Sequence, residues 1–436
     1  MIIKSKPVTM PLKGKIKIPG DKSISHRSII IPSISKGKTT ILNLLESDDV
    51  LKTLNAFKNL GVKIIKKRNK YIIYGKGLKS LKKTKKYLYL GNSGTSARLI
   101  IGLLSSQNFK TKLKGDKSLS KRPMSRVIIP LKKMGAKIDS KNNRLPLTVN
   151  GNLNLKSINY ILPIASSQIK SCLILASLNT KGKSKIIENL PTRNHTELML
   201  KNFNANITIR KKNNKNIIYI KGKKELKTSN INVPGDFSSA SFFIVATLLI
   251  KGSKLNLKNI NLNPTRTGLL RALIKMGANI KIKNIKNINS EKIGDIFIKY
   301  SKLKGCILDK KIVPTMIDEY PILSIAAAHA KTASKFKGLK ELKVKESNRL
   351  IAISNNLSKF GAKCKLNDNE IIINPIKNKK NKIIVIDSKK DHRIAMSFII
   401  MGMLSEKGVI VKGCEYINTS FPNFIKEIKK IGANIS

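Results

Sequence analysis

A short pattern of apolar and polar positions recurs six times along the 436-residue chain. One copy spans residues 273–280 (LIKMGANI), and another spans residues 131–138 (LKKMGAKI). Each copy has apolar residues at helical spacing, lysine near a helix end, a glycine cap, and then a strand-like apolar segment. The other four copies centre on Gly61, Asn204, Gly361 and Gly432. A pattern that returns at a nearly regular interval predicts repeated copies of one helix-and-strand unit.

The two halves of the chain correspond to each other. The segment at 18–23 (IPGDKS) returns at 233–238 (VPGDFS), and the copy around Gly61 corresponds to the copy around Gly277. A chain of this length favours two domains over one core. We therefore predict two domains of three units each, with the two Pro-Gly-Asp segments as the crossings between them.

Helix starts are predicted about twelve residues before each copy. They carry Ser, Thr or Asp, which cap helices, and Pro, which suits the first turn. Four of the six also carry a cation, where the helix dipole disfavours one; the arginines are Arg122, Arg193, Arg266 and Arg349. Cations beside unpaired backbone N–H groups make anion sites. We interpret the set as anion binding, although any one of these arginines alone could serve only in a salt bridge.

Further segments combine a predicted helix start with polar side chains. The glycine-rich turn at 90–98 (LGNSGTSAR) could cradle a phosphate or carboxylate with its backbone amides. A capped helix start without other function is the structural alternative for each segment. The others are 20–27 (GDKSISHR), 166–168 (SSQ) before an apolar helix at 169–178, 318–319 (DE) before the apolar stretch 320–328, and 391–393 (DHR) after an apolar strand at 383–386.

The charge of the chain first suggests a nucleic-acid partner. It has 87 Lys and Arg against 24 Asp and Glu, a formal net charge of +63, and such excess is typical of polyanion binding. However, the lysines are spread over nearly the whole length, Trp is absent, and no basic stripe carries the aromatic residues that stack on bases. Because Asn and Ile are enriched together with Lys, we attribute the charge to an AT-rich genome. We expect no specific nucleic-acid partner.

Cysteine and histidine positions give no sign of a metal site. The cysteines, at 172, 306, 364 and 414, form no C-x-x-C pair, and the four histidines are scattered. Reduced thiols in a reducing compartment are the default for such a pattern. The N-terminus lacks an apolar signal core, and the longest apolar run, 242–250, is too short to span a bilayer. We therefore expect a cytoplasmic protein without a membrane partner.

Taken in order, these segments resemble those of the EPSP synthase family over essentially the full length. The matching motifs are GDKSISHR (20–27), LGNSGT (90–95), RPM (122–124), SSQ (166–168), IDE (317–319), KESNRL (345–350) and DHR (391–393). RNHTE at 193–197 resembles the RDHTE segment of the family's second sequence class. The resemblance implies an α/β (α+β) fold of two domains, each with three βαβαββ units whose helix N-termini face the interdomain cleft. The domains would be residues 1–19 with 236–436, and residues 20–235.

The resemblance also implies a reaction, in which phosphoenolpyruvate gives its enolpyruvyl group to the 5-hydroxyl of shikimate 3-phosphate and phosphate is released. Asp318 would be the base, Glu346 would protonate the methylene carbon, and Lys22 would bridge the substrate and the departing phosphate. A carboxylic acid that donates a proton at pH 7 needs a raised pKa, so we expect Glu346 to lose solvent when the cleft closes. The implied shikimate 3-phosphate ligands are Lys22, Ser23, Arg27, Ser166, Ser167, Gln168, Arg193, Asp318 and Lys345. The implied phosphoenolpyruvate ligands are Lys22, Gly94, Arg122, Gln168, Arg349 and Arg393.

The same resemblance implies no cofactor and no metal, and we expect a monomer. One position departs from the family pattern, since Thr419 stands where some members have Lys, so that contact is not carried over. Gly94 is the small residue of glyphosate-sensitive members. We therefore expect glyphosate to inhibit in competition with phosphoenolpyruvate.

Three alternatives remain open at the level of sequence. The UDP-N-acetylglucosamine enolpyruvyl transferases share the fold and the phosphoenolpyruvate chemistry, but they usually use a loop cysteine, and Gly115–Ser118 has none. A basic nucleic-acid-binding repeat protein would bind DNA tightly at physiological salt. An inactive relative is the third, and the complete set of site residues argues against it.

Overall fold

The structure is a computed structural model that describes residues 1–213, 215–378 and 380–436. These residues form two compact units. Unit 1 comprises Met1–Pro19, Pro234–Asn287 and Lys292–Ser436, and unit 2 comprises Gly20–Val233 and Ile288–Glu291. The chain therefore leaves unit 1 after Pro19 and returns to it at Pro234.

The described residues contain thirteen helices and 22 strands. The helices are α1 (Lys22–Ser33), α2 (Asp48–Asn59), α3 (Gly94–Ser105), α4 (Lys117–Lys121), α5 (Ser125–Lys133), α6 (Ser167–Ser177), α7 (His195–Asn202), α8 (Phe237–Leu249), α9 (Gly268–Lys275), α10 (Tyr320–Ala328), α11 (Arg349–Lys359), α12 (His392–Leu404) and α13 (Phe424–Lys429). Short 3-10 segments lie at Lys141–Asn143, Lys310–Thr315, Lys340–Val344 and Cys414–Thr419. The strands are β1 (Ile2–Ser5), β2 (Lys36–Leu42), β3 (Lys63–Lys67), β4 (Lys70–Lys76), β5 (Leu88–Tyr89), β6 (Lys110–Lys114), β7 (Lys137–Ser140), β8 (Leu147–Asn150), β9 (Asn159–Ile161), β10 (Lys183–Glu188), β11 (Ile207–Lys212), β12 (Lys215–Lys221), β13 (Ile231–Asn232), β14 (Lys254–Asn261), β15 (Asn279–Ile288), β16 (Glu291–Lys299), β17 (Ile307–Leu308), β18 (Ser334–Lys337), β19 (Cys364–Leu366), β20 (Glu370–Ile373), β21 (Ile384–Asp387) and β22 (Val409–Lys412).

One strand arrangement recurs in the sheets of both units. In the sheet β5-β6-β8-β7, the edge strand β5 runs parallel to β6, and the hairpin β7–β8 pairs antiparallel to it. Helix α3 connects the parallel pair, because parallel strands need a crossover, and α5 leads to the hairpin. The sheets β9–β12 and β17–β20 repeat this order. The predicted βαβαββ unit and the mixed α/β class are therefore confirmed.

The remaining sheets are completed by strands from distant parts of the same unit. In unit 2, β13 at the end of the segment lies parallel to β2 at its beginning. In unit 1, β1 from the N-terminus pairs antiparallel to β22, and Ser5 also bridges to Ile435. An isolated parallel bridge from Gly235 to Ile260 supplies the edge of the sheet that contains β14. The sheets of each unit are thus completed by residues of the same unit.

The six copies of the repeated pattern are helix ends, as predicted. The residue in the glycine position has positive φ in every copy, from +59° at Asn204 to +105° at Gly432. Glycine and asparagine reach this left-handed conformation at low cost. The next residue donates its N–H to a carbonyl five residues earlier, the hydrogen bond of the Schellman motif; the donors are Val62, Ala136, Ala205, Ala278, Ala362 and Ala433.

Two kinds of helix alternate along the chain. The core helices α1, α3 and α6 in unit 2, and α8, α10 and α12 in unit 1, are buried over most of their length. The outer helices, such as α5 and α9, bury one face only, as amphipathic helices do. Each unit has its own hydrophobic core. The core helices α1, α3, α6, α10 and α12 begin at positions that hold or adjoin predicted site residues.

Close packing in unit 2 brings two of these helix starts together. A Cβ built on Gly102 of α3 would lie 2.3 Å from the carbonyl oxygen of Cys172 in α6. Only glycine permits the two helix backbones to approach this closely. The first turns of the two helices are also neighbours, since Gln168 Nε2 donates to Thr95 Oγ1 at 3.1 Å.

The four cysteines are free, and three of them are buried. Within the ranges that the structure describes, none of the helices has both the length and the apolar character that a membrane crossing requires.

Candidate functional site

The predicted site residues lie at or near helix starts in each unit. Unit 1 holds what we call the Arg349 cluster, which consists of Asp318, Lys345, Glu346, Arg349 and Asp391. Unit 2 holds the Arg27 cluster, which consists of Ser23, Arg27, Ser171 and Thr196, and a second group around Gln168.

Arg349 is the centre of its cluster. Its Nη2 lies 2.6 Å from Glu346 Oε2, its Nη1 lies 3.3 Å from Asp318 Oδ1, and its Nε lies 2.8 Å from Asp391 Oδ2. Lys345 Nζ is also 3.3 Å from Asp318 Oδ1. The predicted residues Asp318, Lys345, Glu346 and Arg349 therefore come together around one buried guanidinium.

The electrostatics of Arg349 follow from this arrangement. Burial alone would lower the pKa of Arg349, but the carboxylates of Asp391, Glu346 and Asp318 outweigh burial and raise it above the ordinary arginine value. Asp391 is fully buried, whereas the side chains of Glu346 and Asp318 keep 21% and 16% exposure. The partly exposed Glu346 and Asp318 can therefore contact a ligand, while the buried Asp391 holds the guanidinium in place.

Asp391 also starts α12. Its Oδ1 accepts from the backbone N–H of Arg393 at 2.9 Å, and its Oδ2 accepts from Ser347 Oγ at 3.0 Å. A carboxylate at a helix N-cap satisfies an amide that the helix leaves unpaired. The DHR segment is therefore a capping network and also holds Arg349, a role that the sequence alone did not reveal.

A second buried carboxylate lies among the core helix starts of unit 1. Glu319 Oε1 lies 3.5 Å from Arg393 Nη1 and accepts from Ser238 Oγ, which itself accepts from Arg266 Nη2. Arg266 is 3.4 Å from Asp236. Starts of α8, α10 and α12 are thus linked, and Glu319 supports the predicted ligand Arg393.

Lys22 is the first residue of α1. Its Nζ lies 2.5 Å from Asp49 Oδ2 in the first turn of α2. Asp21 caps α1 by accepting from the N–H of Ile24 at 2.9 Å. A half-buried lysine at a capped helix start fits the predicted role in anion binding.

The Arg27 cluster surrounds a second buried guanidinium with neutral oxygens. Arg27 donates from Nε to Thr196 Oγ1 at 2.6 Å, from Nη2 to Ser171 Oγ at 2.9 Å, and from Nη1 to the Ser23 carbonyl at 2.8 Å. Burial lowers the pKa of Arg27 to about 10, although the charges of Glu197 and Asp21 act in the opposite direction. This arginine stays protonated at neutral pH.

The group around Gln168 joins α3 to α6. Arg98 Nη1 donates to Gln168 Oε1 at 2.7 Å, and Gln168 Nε2 donates to Thr95 Oγ1 at 3.1 Å. Gly94 begins α3, and a Cβ there would meet Arg98 Nη1 at 2.8 Å and Arg122 Nη1 at 3.3 Å. Glycine at 94 therefore leaves room for two guanidinium groups beside the helix start. Sequence reasoning missed Arg98, although it stands inside the glycine-rich motif.

Arg122 bonds to side chains of its own unit. Its Nη2 donates to Asn92 Oδ1 and, at 3.3 Å, to Ser118 Oγ. Asn92 belongs to the glycine-rich turn, so the structure joins the 90–98 and 122–124 motifs as neighbours. They were predicted only as separate segments.

The remaining predicted ligands lie near the starts of α6 and α7. The predicted helix start at 169 was wrong by two residues: α6 begins at Ser167, and Ser166 caps it by accepting from the N–H of Ile169 at 3.5 Å. Ser167, Gln168 and Arg193 are each half-buried. Each of the three is therefore partly open to solvent.

Two further observations concern positions raised by the sequence. Thr419 Oγ1 donates to the Tyr416 carbonyl at 2.7 Å and lies 3.5 Å from His392 Nδ1, beside Arg393. This side chain offers a hydroxyl where some relatives have a cation. In the part of the chain that the structure describes, no group of three or more His, Cys, Asp and Glu side chains is placed to hold a metal ion.

Known proteins match this chain over nearly its whole length. The family model for EPSP synthase (3-phosphoshikimate 1-carboxyvinyltransferase) matches residues 8–428. The 3-phosphoshikimate 1-carboxyvinyltransferase of Oceanobacillus iheyensis is 45% identical over 427 residues, which cover 98% of each chain. That of Zymomonas mobilis subsp. mobilis is 43% identical over 429 residues, 97% of this chain and 95% of the relative. The solved structure of EPSP synthase from Acinetobacter baumannii has a TM-score of 0.86 at 40% identity and covers 100% of this chain and 99% of that one.

Together with the repeated βαβαββ units, these matches identify the chain as a carboxyvinyltransferase. The chain belongs to the EPSP synthase family. The resemblance identified from the sequence motifs is confirmed.

Proposed function

We propose that this protein transfers the enolpyruvyl group of phosphoenolpyruvate to the 5-hydroxyl of shikimate 3-phosphate and releases phosphate, a step of aromatic amino acid biosynthesis. The observation that carries the proposal is the Arg349 cluster, in which two partly exposed carboxylates share one buried guanidinium within a chain that matches this family over residues 8–428. The reaction needs a base, an acid and cations for three anionic groups. Carboxylates and cations that support these roles are among the residues described above.

Asp318 is the proposed base and Glu346 the proposed acid. Addition removes the proton of the 5-hydroxyl, joins that oxygen to the second carbon of phosphoenolpyruvate, and adds a proton to the methylene carbon. Because the product keeps the vinyl group, a proton of the new methyl group must leave when the bond between the second carbon and the phosphate oxygen breaks. Glu346 therefore has to accept a proton as well as donate one, which a carboxyl group can do.

Arg349 couples substrate binding to this chemistry. Its guanidinium contacts Glu346 at 2.6 Å and Asp318 at 3.3 Å. A substrate carboxylate that binds Arg349 competes for the same N–H groups. We propose that phosphoenolpyruvate takes these contacts and thereby releases both carboxylates for proton transfer, while Asp391 keeps the arginine in place.

The other proposed ligands follow the assignments that the resemblance implies. Phosphoenolpyruvate binds through its carboxylate to Arg349 and Arg393 and through its phosphate to Lys22 and Arg122, with Gly94 and Gln168 nearby. Lys22 bridges the substrate and the departing phosphate. Shikimate 3-phosphate is bound by Lys22, Ser23, Arg27, Ser166, Gln168, Asp318 and Lys345, with Ser167 and Arg193 as phosphate ligands.

We further propose that units 1 and 2 are the two domains predicted from the sequence, and that the protein acts as a cytoplasmic monomer without a nucleic-acid or membrane partner. The proposed substrates are small anions, which accounts for the cations of the site without a polymer. Light scattering of the purified protein tests the monomer. Retention of DNA at physiological salt would contradict the absence of a nucleic-acid partner.

The decisive experiment measures phosphate release by the purified protein. Phosphoenolpyruvate and shikimate 3-phosphate together should give phosphate and the enolpyruvyl ether, and neither should react alone. UDP-N-acetylglucosamine is offered as a competing acceptor in a parallel reaction. Turnover with the nucleotide sugar, and none with shikimate 3-phosphate, would refute the proposal.

A further inference from the structure

A fully buried lysine lies in the first turn of α6. Lys170 has an exposed fraction of 0%, and its Nζ lies 2.7 Å from Glu197 Oε1, 3.0 Å from Glu188 Oε1, and 3.4 Å from the Thr192 carbonyl. The ammonium group has three N–H donors, and three acceptors surround it. Each acceptor comes from a different element: the end of β10, the following loop, and the first turn of α7.

Two carboxylates face one ammonium group at this buried position in unit 2. Burial alone would lower the pKa of Lys170, but Glu197 and Glu188 outweigh it and raise the pKa above the ordinary lysine value. Buried ion pairs give less stability than well-packed apolar residues of the same size, and some are kept because they fix one geometry. Lys170, Glu188 and Glu197 can therefore fix the geometry of the elements that carry them.

One consequence is the position of the loop at 189–194. Glu188 Oε1 accepts from both the N–H and the hydroxyl of Thr192, the former at 3.2 Å. Lys170 holds the carbonyl of the same Thr192. Arg193 is the next residue, so its backbone is fixed on one side by the buried charges.

The other consequence concerns Arg27. Ser171 follows Lys170 in α6, and Thr196 precedes Glu197 in α7. The two hydroxyls lie 2.7 Å apart, and both accept from the Arg27 guanidinium, at 2.9 Å and 2.6 Å. The Lys170–Glu197 ion pair and this hydroxyl pair are therefore adjacent links between the same two helix starts.

We propose that Lys170 and Glu197 are positioning residues for the binding of shikimate 3-phosphate. Their ion pair holds the first turn of α7 against α6, so that Ser171 and Thr196 orient Arg27 and the loop presents Arg193. Neither residue touches the substrate in this scheme. The inference rests on the proposed function, which assigns Arg27 and Arg193 to shikimate 3-phosphate.

The test is the steady-state kinetics of Lys170→Met and Glu197→Gln. In Lys170→Met the KM for shikimate 3-phosphate should rise about tenfold or more, while kcat and the KM for phosphoenolpyruvate change by less than about threefold. Glu197→Gln should move the same constant in the same direction by a smaller factor, because glutamine keeps an acceptor oxygen for Lys170. Leu175→Ala, a buried truncation in the same helix, is the matched control and should leave both KM values unchanged.

A second readout does not depend on the substrates. In protein with ¹⁵N-labelled arginine, the Arg27 Nε–H resonance should shift in Lys170→Met and stay in place in Leu175→Ala. Wild-type protein without phosphate release refutes the proposed function and leaves this spectroscopic test standing.

Two results would overturn the inference itself. One is an unchanged KM for shikimate 3-phosphate in a folded Lys170→Met variant, or an equal rise of this KM in Lys170→Met and in the Leu175→Ala control. The other is failure of both variants to fold, since the pair would then serve stability alone. Should only Lys170→Met fail to fold, an unchanged KM in Glu197→Gln overturns it as well.

Discussion

Arg27 and Arg349 are both almost completely buried, at 2% and 1% exposure, yet their surroundings differ in kind. Arg27 in unit 2 donates to two hydroxyls and a carbonyl. Arg349 in unit 1 donates to three carboxylates. Burial accordingly lowers the pKa of Arg27, whereas the carboxylates raise that of Arg349.

This difference separates two tasks that a transferase of anionic substrates must perform. A guanidinium held by neutral oxygens keeps its attraction for a phosphate, because no direct ion pair has to be broken before the ligand binds. A guanidinium shared by carboxylates gives up contacts when a ligand carboxylate arrives, and the displaced groups become available as acid and base. We therefore expect loss of binding from changes at Arg27 and loss of chemistry from changes around Arg349.

The largest effect is expected from Asp318→Ala. Without a proton acceptor for the 5-hydroxyl, kcat should fall by roughly 10²–10⁴-fold, while the dissociation constant of shikimate 3-phosphate changes little because its other proposed ligands remain. Phosphate-release kinetics and calorimetric titration measure the two quantities. Asp368→Ala, which removes an exposed partner of Lys343, should leave both unchanged. Near-normal kcat in Asp318→Ala would refute the assignment.

The next prediction compares the two arginines through stability. Arg349→Ala leaves Asp391 buried without its cation and should cost about 3–5 kcal/mol of unfolding free energy. Arg27→Ala leaves neutral oxygens behind and should cost about 1–3 kcal/mol. Urea unfolding followed by circular dichroism gives both values. Adding Asp391→Asn should recover part of the loss in Arg349→Ala, and an equal cost for the two arginines would contradict the comparison.

Local features of this molecule were predictable because their causes lie within a few residues. A glycine or asparagine after a helical apolar pattern indicates a helix end, because these residues adopt positive φ at low cost. All six helix ends could therefore be placed. Caps such as Asp21 and Asp391 act over two or three residues, so the helix starts could be placed too. The cations at those starts could be recognised from the sequence because the helix dipole disfavours positive charge at a helix N-terminus.

The partners of the buried charges were not predictable, because they are distant in sequence. Lys170 stands in a segment whose sequence predicts an apolar helix, and the carboxylates that pair with it belong to Glu188 and Glu197. Asp391 lies 42 residues from Arg349. One signal was available: with 24 acidic residues against 87 basic ones, each carboxylate in an apolar context is a strong candidate for a buried pair.

A smaller effect is expected at Gly94, the first residue of α3. In Gly94→Ala the new Cβ would lie 2.8 Å from Arg98 Nη1 and 3.3 Å from Arg122 Nη1, so at least one guanidinium must move. The KM for phosphoenolpyruvate should rise roughly tenfold, and glyphosate should inhibit the variant more weakly than the wild type. An unchanged KM for shikimate 3-phosphate is the internal control. Equal glyphosate inhibition of both proteins, or none of the wild type at saturation, would contradict the prediction.

The smallest effect concerns the imidazole beside Arg27. His26 is buried, its Nδ1 lies 2.8 Å from Thr53 Oγ1, and burial, followed by the charges of Lys22 and Arg27, lowers its pKa well below 6.5. The unfolded chain therefore takes up a proton at this site before the folded protein does, so stability must fall as pH drops below 6.5. This group alone contributes up to about 1.4 kcal/mol per pH unit in that window. Urea midpoints at pH 5.5 and 7.5 should differ less in His26→Asn than in the wild type. Parallel pH profiles of the two proteins would contradict a pKa of His26 that is lower in the folded protein than in the unfolded chain.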